Sequence, residues 1–231
     1  MAETEQEQIK MYYWNFRGLG HPLVYLLEYI GKPYELVLLD SKETYPDHIQ
    51  KFKDSKTPFS NMPYIEHKGQ LISESEAIAA HICIEAGRLD LLPKTENIVQ
   101  YYQINGVLKD IFSNITSIVY ISKSIENFKQ NYEGILGRFE RKGDELNEYL
   151  VGKKYVLGDS PTWLDFFFAE TIEKVFEMEK LFELERWSAK AEFKRVLQNV
   201  YDLEQIKAYR EKNQHGLLGS YWNGWSAIWR K

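Results

Sequence analysis

The stretch Asn61–Ile82, NMPYIEHKGQLISESEAIAAHI, decides how this chain is read. Tyr64-Ile65-Glu66 and Gln70-Leu71-Ile72 are short strand-like runs on either side of Lys68-Gly69, the signature of a hairpin. A helix follows from Ser75 to about Ala86, and Pro63 stands at the mouth of the first strand, where the ladder does not need its missing N–H. A cis Met62-Pro63 bond would turn the N–H and C=O of Met62 away from the sheet. There an extended, peptide-like ligand can pair with them as an added strand does. Ser75 opens the helix, and its hydroxyl together with the first unbonded N–H groups suits a carboxylate. Taken singly, Pro63 also reads as a plain turn proline and Ser75 as a plain N-cap.

Upstream, residues 9–15 (IKMYYWN) have strand content, and Gly18 and Gly20 then punctuate the chain. From His21 the apolar positions Leu23, Leu26, Leu27 and Ile30 follow helical spacing until Gly31 and Pro33. Tyr34 to Leu39 is a second strand, and residues 46–55 make a weak, polar helix or loop. The order β-α-β-α-β-β-α predicts a four-stranded sheet with helices on its faces. Beyond Leu91-Leu92-Pro93-Lys94 the strand signal disappears, and helices are expected at about 95–121, 125–151, 162–180, 188–198 and 203–212. The organisation is an acidic extension over 1–8, a small α/β domain over 9–88, a linker over 89–94, and an all-helical domain with an aromatic tail over 95–231.

Acidic residues exceed basic ones 34 to 29, a net charge of -5, and no basic stripe suggests nucleic-acid binding. The polar start MAETEQEQ is unlike a leader peptide, and no apolar run is long enough to span a bilayer, so a cytoplasmic protein is expected. The single cysteine, Cys83, sits between Ile82 and Ile84 and reads as an inert core thiol. Asn114-Ile115-Thr116 has the form of a glycosylation site, a chance match in such a chain. His21, His48, His67, His81 and His215 lack metal-ligand spacing, and no phosphate-cradling glycine loop occurs. Thr162 with Asp165 forms a capping box, with Ser160-Pro161 as a rival start, and the Phe166-Phe167-Phe168 run behind them reads as core.

The element order together with Asn61-Met62-Pro63 and Glu74-Ser75 resembles the thioredoxin-like, glutathione-binding domain of cytosolic glutathione transferases. Tyr13-Trp14-Asn15-Phe16-Arg17-Gly18-Leu19-Gly20 is similar to the start of the mu class. LVGKKYVLGDSPTWLDFFFAETI over 150–172 resembles the family's glycine turn and capping box, and LEQIKAYREK with the Trp-containing tail resembles its carboxyl terminus. The resemblance implies a homodimeric transferase that takes reduced glutathione and small hydrophobic electrophiles and needs no metal. Tyr13 would be the catalytic tyrosine. Tyr12 is a rival donor on spacing alone, because neighbouring strand residues face opposite ways and only one can serve. Met62 would hold the cysteinyl backbone beside Asn61 and Pro63, Glu74 and Ser75 the γ-glutamyl end, and Trp14 and Leu19 the glycyl end. Glu74 stands where mu enzymes have Gln. The 40–53 loop lacks the Arg and Trp of the mu pattern, which leaves Lys51 or Lys53 for the glycyl carboxylate, Lys51 being the better match. Asp110 would reach glutathione across the dimer and Tyr120 would serve the electrophile, unless the register slips to Lys109 and Val119. Phe59 would be the aromatic key between subunits, and Trp222, Trp225 and Trp229 would cap the electrophile or cover the core. A peroxidase or isomerase of the same fold and a non-catalytic scaffold in a larger assembly stay open as alternatives.

Overall fold

The computed structural model describes residues 8–39 and 42–213. The tail tryptophans, His215 and most of the acidic extension lie outside the described residues. The first half runs β1 (Ile9–Trp14), α1 (His21–Ile30), β2 (Tyr34–Leu39), α2 (Tyr45–Asp54), β3 (Tyr64–His67), β4 (Gln70–Ser73) and α3 (Ser75–Glu85). The second is helical: α4 (Ile98–Ile121), α5 (Ile125–Tyr149), α6 (Trp163–Phe182), α7 (Ala191–Tyr201) and α8 (Glu204–Lys212). The chain divides into two compact units, one reaching Leu89 and taking in the end of α8 from Ala208, the other running from Asp90 to Lys207.

In the first unit the sheet order is β2-β1-β3-β4. β1 and β2 are parallel, which obliges the crossover through α1, whereas β3 and β4 form the expected antiparallel hairpin. Ile9, Met11 and Tyr13 are buried on one face of β1 while Lys10, Tyr12 and Trp14 alternate to the other. α2 covers this second face: Phe52 meets Tyr64 edge-on at 5.0 Å, and the Tyr64 ring lies flat on Tyr12 at 4.5 Å. The expected weak helix thus forms, because Phe52 gives an otherwise polar segment one buried anchor. α3 lies on the opposite face, where His67 of β3 hydrogen-bonds His81 of α3 at 2.9 Å. Cys83 is fully buried on α3.

The helical unit is organised around α6, which is buried without a break from Trp163 to Ile172, including all three phenylalanines. A helix buried on every side belongs in a core, and its buried polar groups, Asp165, Glu170 and Thr171, lie within it. Its start is set by Thr162 and Asp165. The Asp165 carboxylate is fully buried and accepts from Thr162 N–H at 2.8 Å, Thr162 Oγ1 at 2.9 Å and Val156 N–H at 2.7 Å. Burial pushes its carboxyl up to about 6, against donors that favour the ionised form. At the far end Glu179 accepts the N–H groups of Arg186, Trp187 and Ser188 at 3.2, 2.8 and 2.8 Å, folding the next loop back onto the helix. The Trp187 indole then lies against α5 where Gly143 has no side chain; a Cβ there would stand 2.7 Å from Trp187 Cε2. Among the described residues no helix is long and apolar enough to cross a membrane.

Asp165→Ala would strand two buried backbone donors and remove the α6 cap. Urea unfolding of this variant is expected to register a loss of about 2–4 kcal/mol.

Candidate functional site

The register of the sheet gathers the site. Tyr12 pairs with Tyr64, and Tyr64 with Ser73, so the end of β1, the start of β3 and the end of β4 lie side by side. Tyr13, Trp14, Met62-Pro63 and Glu74-Ser75 therefore share one end of the sheet although 62 residues separate the first from the last.

Tyr13 is nearly buried, at 4 % exposure, beneath the turn that follows β1. Its phenol oxygen accepts the Leu19 N–H at 2.9 Å. Two glycines let the turn come this close. A Cβ on Gly20 would stand 2.8 Å from Tyr13 Cγ; one on Gly18 would stand 2.8 Å from Phe16 Cε2 and closer still to the Tyr13 hydroxyl. Gly18 also has φ of 39°, a conformation that side chains disfavour. A hydrogen bond accepted on the phenol oxygen polarises its O–H and strengthens it as a donor. Tyr12, the rival on spacing, points the other way. Burial and the neighbouring Glu66 carboxylate push its phenol well above the usual range, and its ring is committed to Tyr64.

Met62-Pro63 is cis, and the Met62 side chain is buried. The Met62 N–H donates to the side chain of its neighbour Asn61, at 2.9 Å to Oδ1, and Asn61 Nδ2 donates to Glu74 Oε1 at 3.0 Å. Glu74 is the N-cap of α3 with φ of 68° and ψ of 115°, and its own side chain does not cap the helix. A non-glycine residue held in this sparsely populated region marks a place where surroundings dictate backbone, which is common at ligand clamps. Ser75 is the first helical residue, so its hydroxyl and the α3 N-terminus flank Glu74.

Lys51 pairs with Glu66, lies over the Tyr12 ring at 5.2 Å, and lines a groove of about 340 Å³ with Gln8, Lys10 and the β3–β4 turn. Lys10 pairs with Glu66 in the strand register, so this groove occupies the opposite end of the sheet, and the structure does not bring Lys51 to Trp14 or Ser75. Lys53 is exposed on α2. What stands beside Trp14 is Tyr45, the first residue of α2, with ring centres 5.3 Å apart. Sequence reasoning missed it, and its only signal was an aromatic residue before Pro46. Phe59 is 78 % exposed with φ of 60°, and Ser73 Oγ holds its carbonyl in place, a tether no motif announced. In the helical unit Asp110 is exposed on α4 and pairs with Lys142 at 3.3 Å, while Tyr120, ten residues on, is 49 % exposed. Val119, the alternative to Tyr120 in the slipped register, is buried. Among the described residues no group of three or more His, Cys, Asp or Glu is placed to hold a metal.

Two family descriptions match the chain: "Glutathione S-transferase, N-terminal domain" over residues 9–83 and "Glutathione S-transferase, C-terminal domain" over residues 109–213. The class-mu 26 kDa isozyme of Schistosoma mansoni is 29% identical over 168 residues, covering 71% of this chain and 80% of its own. Human glutathione S-transferase Mu 5 is 27% identical over 230 residues, 94% of this chain and 96% of its own. Among solved structures, the glutathione S-transferase Blo t 8 superposes with a TM-score of 0.72 at 23% identity, covering 89% of this chain and 93% of its own. A rat hPGDS bound to a quinoline gives the same TM-score at 21% identity over 89% and 96% of the two chains. At these identities the structures establish likeness of fold.

Gly20→Ala is expected to unseat Tyr13 and cost about 1–3 kcal/mol by overpacking. Gly106→Ala on α4, where a Cβ meets nothing within 4 Å, should leave stability unchanged or slightly raised. Parallel thermal unfolding of the two variants tests the contrast.

Proposed function

The chain belongs to the glutathione S-transferase family, whose members take glutathione as co-substrate and need no metal, and from that membership we propose a mu-like, homodimeric, cytoplasmic enzyme conjugating glutathione to small hydrophobic electrophiles. The observation that carries this reading is Tyr13, polarised by the Leu19 N–H at the sheet end that also presents Met62, Glu74 and Ser75.

Glutathione lies in this reading along the Met62-Pro63 edge, its cysteinyl backbone on the main chain of Met62. Its γ-glutamyl ammonium meets the Glu74 carboxylate, and its α-carboxylate meets Ser75 and the α3 N-terminus. Trp14 and Leu19 flank the glycyl end, with Tyr45 packed on Trp14. A free thiol titrates near ~8.5, so only a few per cent is thiolate at neutral pH. A hydrogen bond to the charged form contributes about 1.5–3 kcal/mol, and each pKa unit corresponds to about 1.36 kcal/mol. One phenol O–H thus lowers the thiol by about one to two units and makes much of it nucleophilic at neutral pH. The thiolate forms an S–C bond to the electrophilic carbon; in a substitution the leaving group departs with the electron pair of its bond to that carbon, and in an addition the π pair moves onto the electrophile and takes a proton from water. Tyr120 serves the electrophile, and Asp110 faces glutathione of the second subunit.

The dimer in this reading uses Phe59. A phenylalanine held out into solvent by a strained backbone and a buried serine tether is costly for a monomer and fits a socket on a second copy.

Tyr13→Phe is expected to lower kcat/KM about ten- to hundredfold and to shift its pH profile upward by about one to two units. Its calorimetric Kd for glutathione should change much less, and unchanged turnover would overturn the assignment. Phe59→Ser should move the sedimentation of the chain from dimer toward monomer; an unaltered dimer would remove Phe59 from the interface.

A further inference from the structure

We infer that Asn61 is a placeholder for the ligand: its side-chain amide occupies the Met62 N–H and the Glu74 carboxylate until glutathione displaces it. This rests on the glutathione reading of the site. A peptide ligand on this edge offers two polar groups, a carbonyl oxygen for the Met62 N–H and a nitrogen-borne hydrogen for the Glu74 carboxylate. The Asn61 amide offers the same two at once, its Oδ1 2.9 Å from Met62 N and its Nδ2 3.0 Å from Glu74 Oε1. Asn61 is itself exposed, so its amide can leave for water without opening the core, whereas Met62 and Pro63 beneath it are buried.

The energetics make the exchange consequential. At the Met62 N–H one amide-type hydrogen bond replaces another and the exchange is nearly balanced, whereas at Glu74 an ammonium replaces a neutral amide donor and gains a charge-assisted bond, so the internal occupant lowers the ligand's net gain without excluding it. The internal occupant is tethered one residue from the N–H it fills and therefore competes at high effective concentration. Affinity for an incoming ligand falls by the fraction of time the internal bond is open. Asn61 consequently tunes the affinity of the site and discriminates against ligands that can replace only one of its two bonds. It also holds the strained Glu74 carboxylate aimed at the site while the ligand is away.

The test uses the full chain and reduced glutathione as the probe. Asn61→Ala and Asn61→Ser, at an exposed position where both should fold, are titrated calorimetrically beside the wild type, and amide exchange at Met62 is followed by NMR with and without ligand. Removal of the internal competitor is expected to tighten glutathione binding about two- to tenfold. The Met62 amide should exchange faster in the unliganded variants than in the wild type and return to slow exchange with glutathione bound. If the wild type binds glutathione and both variants bind it equally or more weakly, Asn61 is a direct contact or a mere support for Glu74, and the placeholder is overturned. If the wild type itself does not bind glutathione, the glutathione reading fails, and the placeholder falls with it.

Discussion

A phenol ring and a peptide chain cannot share space, and the first unit is arranged around how closely the two approach at Tyr13. The Gly18-Leu19-Gly20 backbone passes over the ring at distances no side chain would permit, and the N–H of Leu19 ends on the phenol oxygen. That contact fixes where β1 must stop, where α1 must begin, and which of two adjacent tyrosines is turned toward the site. The opposite face has its own logic, with Tyr12, Tyr64 and Phe52 stacked beneath α2 and Lys51 drawn to Glu66. A reactive group on one face of a strand is therefore braced by aromatic packing on the other.

The second half of the site is a matter of hydrogen-bond supply. Backbone donors near the start of a strand and a helix must end on something, and in this chain Asn61 supplies the partner for Met62 and steadies Glu74. A binding edge that satisfies itself between visits of its ligand avoids the penalty of an orphaned donor next to buried Met62 and Pro63. A ligand that binds there in the proposed way would work by substitution, which lowers its net gain.

Much of this was legible in the residues. The hairpin around Lys68-Gly69, the helix from Ser75, the capping box at Thr162 and Asp165, and the change to helices after Lys94 each rest on local chemistry, and each element formed near its expected bounds. Tyr13 over Tyr12 needed the family register, because alternation says that the two differ without saying which faces the site. Lys51 was placed by motif alone, and its position could not be read from the sequence: a lysine's reach is long and isotropic, and the Glu66 carboxylate pairs with it at the other end of the sheet. Tyr45 and the Ser73 tether on Phe59 left no periodic trace, since each contact depends on where a loop returns in space. Asn61 carried a binding role by resemblance, but its place between Met62 and Glu74 is a property of distance alone.

The chain's one thiol, Cys83, lies fully buried in α3. Mixed-disulfide exchange reaches a protein's sulfur only where a thiolate is accessible. Placing the only sulfhydryl behind the packed face of the sheet gives oxidised glutathione nothing to modify on the folded unit. In the glutathione reading proposed above, the thiol chemistry of the site is thereby kept away from the protein's own sulfur.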